Sequence, residues 1–372
     1  MAYAERRGST WRVRYRLPDG TWGSESGFLT QRAAEQWGDD QESDLRRGRA
    51  KDPRRGRVTI AEFVPVWRDS LRLGDRTAGS YDYLLRRFVL PRWGHVELGD
   101  ITWLPVKAWA NRLEDSGLAY RTVKDAVSML SMLLQAAVDD DRLVGNPLHR
   151  RRREWGRRRA KPAERVWVTA DIIGRICTPR YADNLLLRTA YWTGMRWGEL
   201  AGLHRASSVL LRSNPTRHVI VVDAHRGALH ELDSGQLVLG PPKPPNGARE
   251  VDLPEFLADE LAAHLATWPH EHVFCGPRGG LHRRSNFSRR VLGPAVADLA
   301  PGLSFHGLRH SHKVLLLELG VPEVLQCERL GHEQSGIAGV YSHVSAVMRQ
   351  RLLDDMGQRH GEVSSARAAA IG

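Results

Sequence analysis

The chain has 372 residues, of which 26% are charged and 41% hydrophobic, so it has the composition of a globular protein and the length of two or three domains. No apolar run approaches the roughly 20 residues of a membrane helix, and the first residues lack the apolar core of a signal peptide. The formal net charge of +12 points to nucleic acid as the partner, with a generally basic surface as the alternative. We therefore expect a cytoplasmic protein without membrane contact.

Residues 1–50 are predicted to form a small module of strands and one helix. Residues 10–16 alternate with the two-residue period of a strand, a turn signal follows at residues 18–20, and two short strands are predicted over residues 21–25 and 26–29. Thr30 should cap a helix from Gln31 to about Arg46. One face of the first strand carries Trp11, Val13 and Tyr15, and the other carries Arg12, Arg14 and Arg16. The arginine face suits DNA, and a solvated strand face is the alternative.

Residues 59–148 follow a short basic linker and are predicted to form four or five helices. Thr59 should cap the first of them, and Pro91 should end the second. The third is expected to start near Pro105 and the fourth at Thr122, with apolar residues at helical spacing throughout.

A second basic linker spans residues 149–165. Seven arginines cluster within residues 149–161 of it: Arg150, Arg151, Arg152, Arg153, Arg157, Arg158 and Arg159. Such a run is usually flexible and solvated. Between two folded segments it can also follow a DNA backbone, and we favour that interpretation.

Residues 166–356 are predicted to form a second, mostly helical domain with a small antiparallel sheet. Helices should begin at Thr169 and near Asp183, and strands should cover residues 219–222, 236–239 and 251–253. A last helix over residues 346–356 presents an apolar face that we expect to pack on a neighbouring protomer. Residues 357–372 are expected to be disordered.

Two motifs in this domain place arginines where an anion could bind. In T-G-M-R-W-G-E-L, residues 193–200, a helix should break at Gly194 and a new one begin, with Arg196 in its first turn. Glu199 can reach back as a cap or orient that arginine. In H-G-L-R-H, residues 306–310, His306 and Arg309 are three residues apart and should share one helix face.

Three more features complete the pattern. Lys243 lies in a proline-rich loop between two predicted strands, His332 ends an L-G-H motif, and Tyr341 follows nine residues later in V-Y-S-H. Arg249 is a rival to Lys243, and both Arg249 and His343 are expected on phosphate or at the surface.

These motifs, in this order and at this spacing, resemble the tyrosine recombinases of the phage-integrase class. The resemblance is strong over residues 166–356. It extends over residues 59–148 as a SAM-like core-binding domain, and more loosely over residues 1–50 as an arm-type DNA-binding module. It implies a multidomain, mainly α member of the α+β class that integrates or excises a mobile element at attachment sites.

The chemistry explains why these residue types are needed. Arg196 and Arg309 can neutralise the non-bridging oxygens of a phosphodiester, and Tyr341 needs help as a nucleophile because a phenol has a pKa of about 10. The resemblance implies that His306 helps to remove the proton of Tyr341 and that His332 donates a hydrogen bond to a phosphate oxygen. It implies that Lys243 is the acid that protonates the leaving 5′ oxygen. No metal, ATP or other cofactor is implied.

The resemblance further implies double-stranded DNA and a homotetramer on it, with a host DNA-bending protein and an excision factor as further partners in the nucleoid of a bacterial host. Three alternatives stay open: a Xer-type resolvase, a DNA-binding regulator that does not cut, and a type IB topoisomerase. A zinc site formed by His306 with His310, His312 and His343 is a fourth, which the lack of a metal-binding spacing disfavours. Cys177, Cys275 and Cys327, odd in number and far apart, predict free thiols.

Overall fold

The computed structural model describes residues 2–17, 20–46, 56–149, 165–213, 216–232, 234–243, 245–333 and 343–371. The chain divides into two compact units, Met1–Lys161 and Pro162–Gly372. Within the first unit, the N-terminal module and the helical region have separate hydrophobic cores. No helix in the described part of the chain is both long and apolar enough to cross a lipid bilayer.

The N-terminal module is a three-stranded antiparallel sheet with one helix on it. Its elements are β1 (Tyr3–Arg7), β2 (Thr10–Arg16), β3 (Trp22–Phe28) and α1 (Gln31–Arg46). The prediction missed β1 and divided β3 into two strands, because neither segment alternates regularly enough to set a strand period. The cap of α1 is confirmed, since the hydroxyl of Thr30 accepts a hydrogen bond from the backbone N–H of Ala33.

The two faces of this sheet differ as the alternation predicts. Val13 and Tyr15 are buried in the core under α1. On the opposite face, Arg12 pairs with Glu5 across the strands. Arg14 and Arg16 lie over the exposed ring of Trp22, at 5.9 and 4.4 Å from its centroid. The open face therefore presents two arginines on an aromatic platform.

The helical region is built around one apolar core. Its helices are α2 (Ile60–Asp69), α3 (Asp75–Leu84), α4 (Leu90–Trp93), α5 (Trp103–Asp115) and α6 (Tyr120–Asp139). The predicted capping of α2 is confirmed, because Thr59 and Glu62 form a reciprocal capping box.

We expected Pro91 to end its helix, and this prediction is wrong. A π-helical turn over Leu85–Val89 joins α3 to α4, and Pro91 lies in the first turn of α4. In a regular helix the proline ring would collide with the carbonyl four residues earlier. The wider π turn just before it accommodates the ring, and a π turn over Ser288–Leu292 precedes Pro294 in the same way.

The second unit combines helices with two small sheets. It begins with α7 (Ala170–Arg175), α8 (Tyr181–Thr193) and α9 (Trp197–Ala201). The strands are β4 (Val209–Ser213), β5 (Thr216–Val222), β6 (Ala228–Glu231), β7 (Leu237–Gly240) and β8 (Arg249–Asp252). The helices that follow are α10 (Glu255–Thr267), α11 (Arg284–Phe287), α12 (Gly293–Val296), α13 (Phe305–Glu318), α14 (Glu323–Leu330) and α15 (Ala346–Ile371).

The strand order brings the β6–β7 hairpin next to α9. Strands β4, β5 and β8 form one antiparallel sheet, and the β6–β7 hairpin is inserted between β5 and β8. The hairpin packs on α9 so closely that a Cβ atom at Gly198 would lie 2.6 Å from the carbonyl oxygen of Leu229. This contact fixes the start of the Lys243 loop against the helix that follows Arg196.

The C-terminal segment departs from the prediction. Helix α15 continues to Ile371, so the disorder expected from residue 357 onward is wrong for the described residues. Leu352 and Met356 are buried in the unit's own core, and the ring of His360 stacks on Phe256 at 3.9 Å between centroids. Of the apolar face that we expected to pack on a neighbouring protomer, Leu352 is therefore covered by the chain itself, whereas Val347 is exposed.

Replacing Met356 with alanine should lower the free energy of unfolding by about 2–5 kcal/mol, because truncating a fully buried side chain leaves a cavity. Val347 on the same helix is 77% exposed and provides the control, and Val347→Ala should change stability by less than about 0.5 kcal/mol. Chemical denaturation of the full chain, followed by circular dichroism, measures both variants. Equal stability of the two would contradict the docking of α15.

Candidate active site

Arg196 is positioned by the connection between α8 and α9. Gly194 ends α8 in the left-handed conformation (φ +66°), as the break predicted there requires, and Arg196 is the N-cap of α9. The Glu199 carboxylate accepts hydrogen bonds from the Arg196 backbone N–H (2.9 Å) and from its Nη1 (2.8 Å), which confirms the predicted reach-back. Nη2 of Arg196 donates to the carbonyl of Gly331 at 3.3 Å. Arg196 therefore lies beside the L-G-H motif.

Arg309 connects three of the motifs. Its side chain is buried, and Nη1 donates to the Gly194 carbonyl while Nη2 donates to the Leu330 carbonyl, both at 2.7 Å. Nη2 also lies 2.7 Å from Nε2 of His332. Because a guanidinium nitrogen can only donate, Nε2 is the acceptor, and the His332 ring is neutral with its proton on Nδ1.

The electrostatics of this cluster favour an anion. Burial, followed by the charge of Arg196, lowers the pKa of Arg309 to about 9. His306 and His332 are exposed at one edge, but partial desolvation, followed by the charge of Arg309, also lowers their pKa values below the ordinary 6.5. At neutral pH both rings are therefore uncharged while both arginines are charged. An entering phosphate would meet positive charge and an imidazole N–H donor.

We expected Arg249 on phosphate or at the surface, and this prediction is wrong because the residue is buried. Its side chain is 5% exposed, and Nη1 and Nη2 donate to the two carboxylate oxygens of Glu199 at 3.1 and 3.0 Å. Burial alone would raise the pKa of Glu199, but the hydrogen bonds and charges of Arg249, and then those of Arg196, lower it overall. Glu199 is thus an ionised, buried carboxylate shared by two arginines.

Sequence reasoning also missed Arg329, which stands two residues before Gly331. It is buried and donates from Nη1 to the Asp252 carbonyl and from Nη2 to the Trp192 carbonyl, both at 2.9 Å. Nε donates to His312 at 3.1 Å.

Not every predicted residue is brought into the cluster. His306 is exposed at the start of α13 and is coupled to it electrostatically, since Arg309 and Arg196 both contribute to its pKa shift. Lys243 is exposed in the loop between β7 and β8, and among the described residues it forms no hydrogen bond or ion pair. Tyr341 and the seven linker arginines lie outside the described residues.

The cysteines and the other histidines were also considered as possible reactive or metal-binding groups. The three cysteines are free, as predicted. Among the described residues there is no group of three or more histidine, cysteine, aspartate or glutamate side chains that could hold a metal ion. His312 is fully buried and accepts the hydrogen bond from Arg329, which separates its role from that of exposed His306.

The chain is similar to integrases from several sources. It is 26% identical over 352 residues to a prophage phiRv2 integrase of Mycobacterium tuberculosis, an alignment that covers 90% of this chain and 89% of the relative. It is 23% identical over 320 residues to the integrase of Mycobacterium phage L5, with 83% and 82% covered. A XerC-like tyrosine recombinase of Caldanaerobacter subterraneus is 23% identical over 322 residues, with 77% and 80% covered. No protein-family model matches the chain.

Solved structures establish the fold. The Tn1549 transposon integrase in complex with transposon right-end DNA has a TM-score of 0.63 at 17% identity, covering 81% of this chain and 100% of that one. The lambda integrase tetramer bound to a Holliday junction has a TM-score of 0.53 at 17% identity, with 92% and 98% covered. The predicted multidomain, mainly α fold of the α+β class is confirmed. These similarities and the motifs that meet at Arg309 support a tyrosine recombinase of the phage-integrase class.

Replacing Gly194 with alanine should disrupt the site. A Cβ atom there would lie 2.4 Å from Cδ2 of buried His312, so the backbone that presents its carbonyl to Arg309 must move. Gly320 is the matched control, because it has a similar φ of +64° and nothing within 4 Å. Gly320→Ala should cost about 1–2 kcal/mol from backbone strain alone, and Gly194→Ala about 1–3 kcal/mol more from overpacking. Denaturant unfolding measures both, and equal costs would contradict the close packing at Gly194.

Proposed function

We propose that this chain is the integrase of a bacterial phage or integrative element, which cuts DNA at attachment sites and rejoins it through a 3′-phosphotyrosyl intermediate. The observation that carries the proposal is the meeting of Arg196, Arg309 and His332 in one positively charged site. Arg309 is held there by backbone carbonyls, so no carboxylate cancels its charge. A phosphodiester in this site would be bound by two guanidiniums.

Cleavage begins with attack of the Tyr341 hydroxyl on the scissile phosphorus. A phenol with a pKa of about 10 must lose its proton on the way, and His306 is a suitable acceptor because its lowered pKa keeps the ring neutral. As the bond from phosphorus to the tyrosine oxygen forms, the bond to the 5′ oxygen breaks. Lys243 supplies the proton that this leaving oxygen needs.

The other residues stabilise charge on the phosphate. Arg196 and Arg309 bind its non-bridging oxygens, where charge builds up in the transition state. His332 adds a hydrogen bond from Nδ1, the nitrogen that carries the proton in the free protein. Because one phosphate ester is exchanged for another, the bond energy is retained for rejoining, and neither ATP nor a metal ion is required.

The proposed partners follow from the relatives and from the charge of the chain. The structural neighbours include a transposon integrase in complex with DNA and a lambda integrase tetramer bound to a Holliday junction. They support double-stranded DNA as substrate and a homotetramer as the active assembly. The bacterial nucleoid, where the substrate lies, is the proposed location. Control by a host DNA-bending protein and an excision factor extends the proposal. Similarity to phage and prophage integrases favours this function over that of a Xer-type resolvase.

We propose that DNA contacts extend over the other parts of the chain. Residues 59–148 would bind the core site, and the linker arginines would follow the backbone of the same duplex. The N-terminal module would bind arm-type sites through Arg14 and Arg16, which lie on Trp22, whereas the charge of Arg12 is offset by Glu5. This assignment keeps Arg14 and Arg16 of the predicted arginine face as the principal contacts.

Covalent trapping tests the reaction. The protein is mixed with a nicked duplex that carries the junction sequence of its own element, then denatured and examined for a protein–DNA adduct. Wild type should give the adduct and Tyr341→Phe should give none. Tyr181→Phe, at a tyrosine that is 55% exposed in the same unit, should behave as wild type. Arg309→Ala should reduce adduct formation by about 100- to 1,000-fold, as expected when a transition-state donor is lost. An adduct with Tyr341→Phe would disprove the assignment of the nucleophile.

The salt dependence of binding to arm-site DNA tests the N-terminal module. Each phosphate contact contributes about −0.9 to the log–log slope, so Arg14→Gln with Arg16→Gln should reduce its magnitude by about 1.8. Arg12→Gln should leave the slope nearly unchanged, because Glu5 already pairs with that arginine. Fluorescence anisotropy between about 50 and 200 mM salt measures the slope. Equal effects of Arg12 and of the Arg14 and Arg16 pair would argue against this distribution of contacts.

A further inference from the structure

The side chain of Arg249 joins three parts of the second unit from inside. Besides its fork on Glu199, Nε donates to the Arg329 carbonyl and Nη1 donates to the Gly247 carbonyl, both at 2.8 Å. Gly247 ends the loop that carries Lys243, and Arg329 lies in the last turn of α14, just before Gly331 and His332. One buried guanidinium therefore binds Glu199, which orients Arg196, and the chain segments that carry Lys243 and His332.

The guanidinium packs closely against the backbone of the L-G-H motif. A Cβ atom at Gly331 would lie 2.9 Å from Nη1 of Arg249, so the glycine of the L-G-H motif is needed for the guanidinium to fit as well as for its own left-handed φ of +60°. With 5% of its side chain exposed and its hydrogen bonds directed inward, Arg249 is not available to DNA. It can influence the reaction only through the groups that it holds.

The most consequential of these groups is Glu199, whose side chain is 1% exposed. A buried carboxylate stays ionised only when cations and hydrogen bonds compensate for its lost hydration. Arg196 supplies part of that compensation through its backbone N–H and Nη1. Without Arg249, burial would dominate, the carboxylate would take up a proton more readily, and the ion pair that orients Arg196 would weaken.

We propose that Arg249 is a positioning residue for DNA cleavage, which keeps Glu199 ionised and oriented and thereby aims Arg196 at the scissile phosphate. The inference rests on the proposed function and adds to it a residue that does not touch DNA. It also explains why an arginine stands at this place, because lysine could keep the charge but could not form the fork on Glu199 while bonding two carbonyls.

Adduct formation by the full chain on the nicked duplex is the first test. Arg249→Met should slow cleavage at saturating DNA by about 10- to 100-fold, as is usual when a partner that orients a functional side chain is lost. The affinity for DNA should change little. Arg249→Lys should fall between this variant and wild type. Arg217→Met is the matched control, since Arg217 also pairs with two carboxylates, Asp252 and Glu250, on the same sheet but is 36% exposed. It should cleave within about twofold of wild type, because Arg349 still pairs with Asp252 and because Glu250 is exposed to solvent.

The pH dependence of the melting temperature separates this role from a general loss of packing. In wild type the pKa of Glu199 is low, so its stabilising effect is present at neutral pH and is lost as the pH falls through that value. In Arg249→Met the pKa should be raised instead, so the deficit in melting temperature relative to wild type should grow as the pH rises from about 4.5 towards 7. Adding Glu199→Gln to Arg249→Met should remove this pH-dependent part.

The outcomes are distinct. Slow cleavage by Arg249→Met, partial recovery with lysine and a deficit that depends on Glu199 would support the proposal. Wild-type cleavage by Arg249→Met, or a deficit that is flat with pH, would overturn it while leaving the proposed function intact. An equal loss in Arg217→Met would overturn it as well, because the effect would then be one of sheet stability. Failure of wild type to form an adduct on the junction duplex would instead remove the proposed function, and this inference with it.

Discussion

The arrangement of the candidate site depends on one buried carboxylate. Glu199 is almost completely shielded from water and is ionised because Arg249 and Arg196 donate hydrogen bonds to it from two sides. Without this negative charge the guanidiniums of Arg196, Arg249 and Arg309 would repel one another with nothing to offset the repulsion. Three arginines around one carboxylate leave the site positive, so the ion pair organises the cluster without removing its attraction for phosphate.

The second constraint is that Arg309 is held by backbone and not by a carboxylate. Its donors reach the carbonyls of Gly194 and Leu330, which fix the guanidinium plane but carry no formal charge. Its pKa of about 9 still leaves it protonated at neutral pH. The two arginines of the site are thus oriented by different means, one through an ion pair and one through carbonyls. This difference keeps one full charge available to a ligand.

The positions of Arg196 and Arg309 both require the backbone to pass very close to buried side chains, which is possible because glycine has no Cβ atom. Gly194 turns the chain from α8 into α9 against the buried ring of His312, and Gly331 turns it out of α14 against the guanidinium of Arg249. Gly198 lets the β6–β7 hairpin approach α9. The glycines of the T-G-x-R and L-G-H motifs therefore have packing reasons that are separate from the chemistry of their neighbours. The motifs are units of structure as much as of reactivity.

Sequence alone determined the nature of the elements and the set of reactive side chains, because helical periodicity, caps and motif order are local properties of the chain. The predicted caps at Thr30 and Thr59 and the break at Gly194 are examples. Predictions from local sequence were wrong where contacts distant in the chain determine the structure. The helix continues through Pro91 because a π turn accommodates the ring, and the chain stays helical after residue 357, where His360 stacks on Phe256. Only the fold could show that Arg249 is buried. Its spacing is that of any basic residue near a strand, and the partner that draws it inside, Glu199, is fifty residues away in the chain.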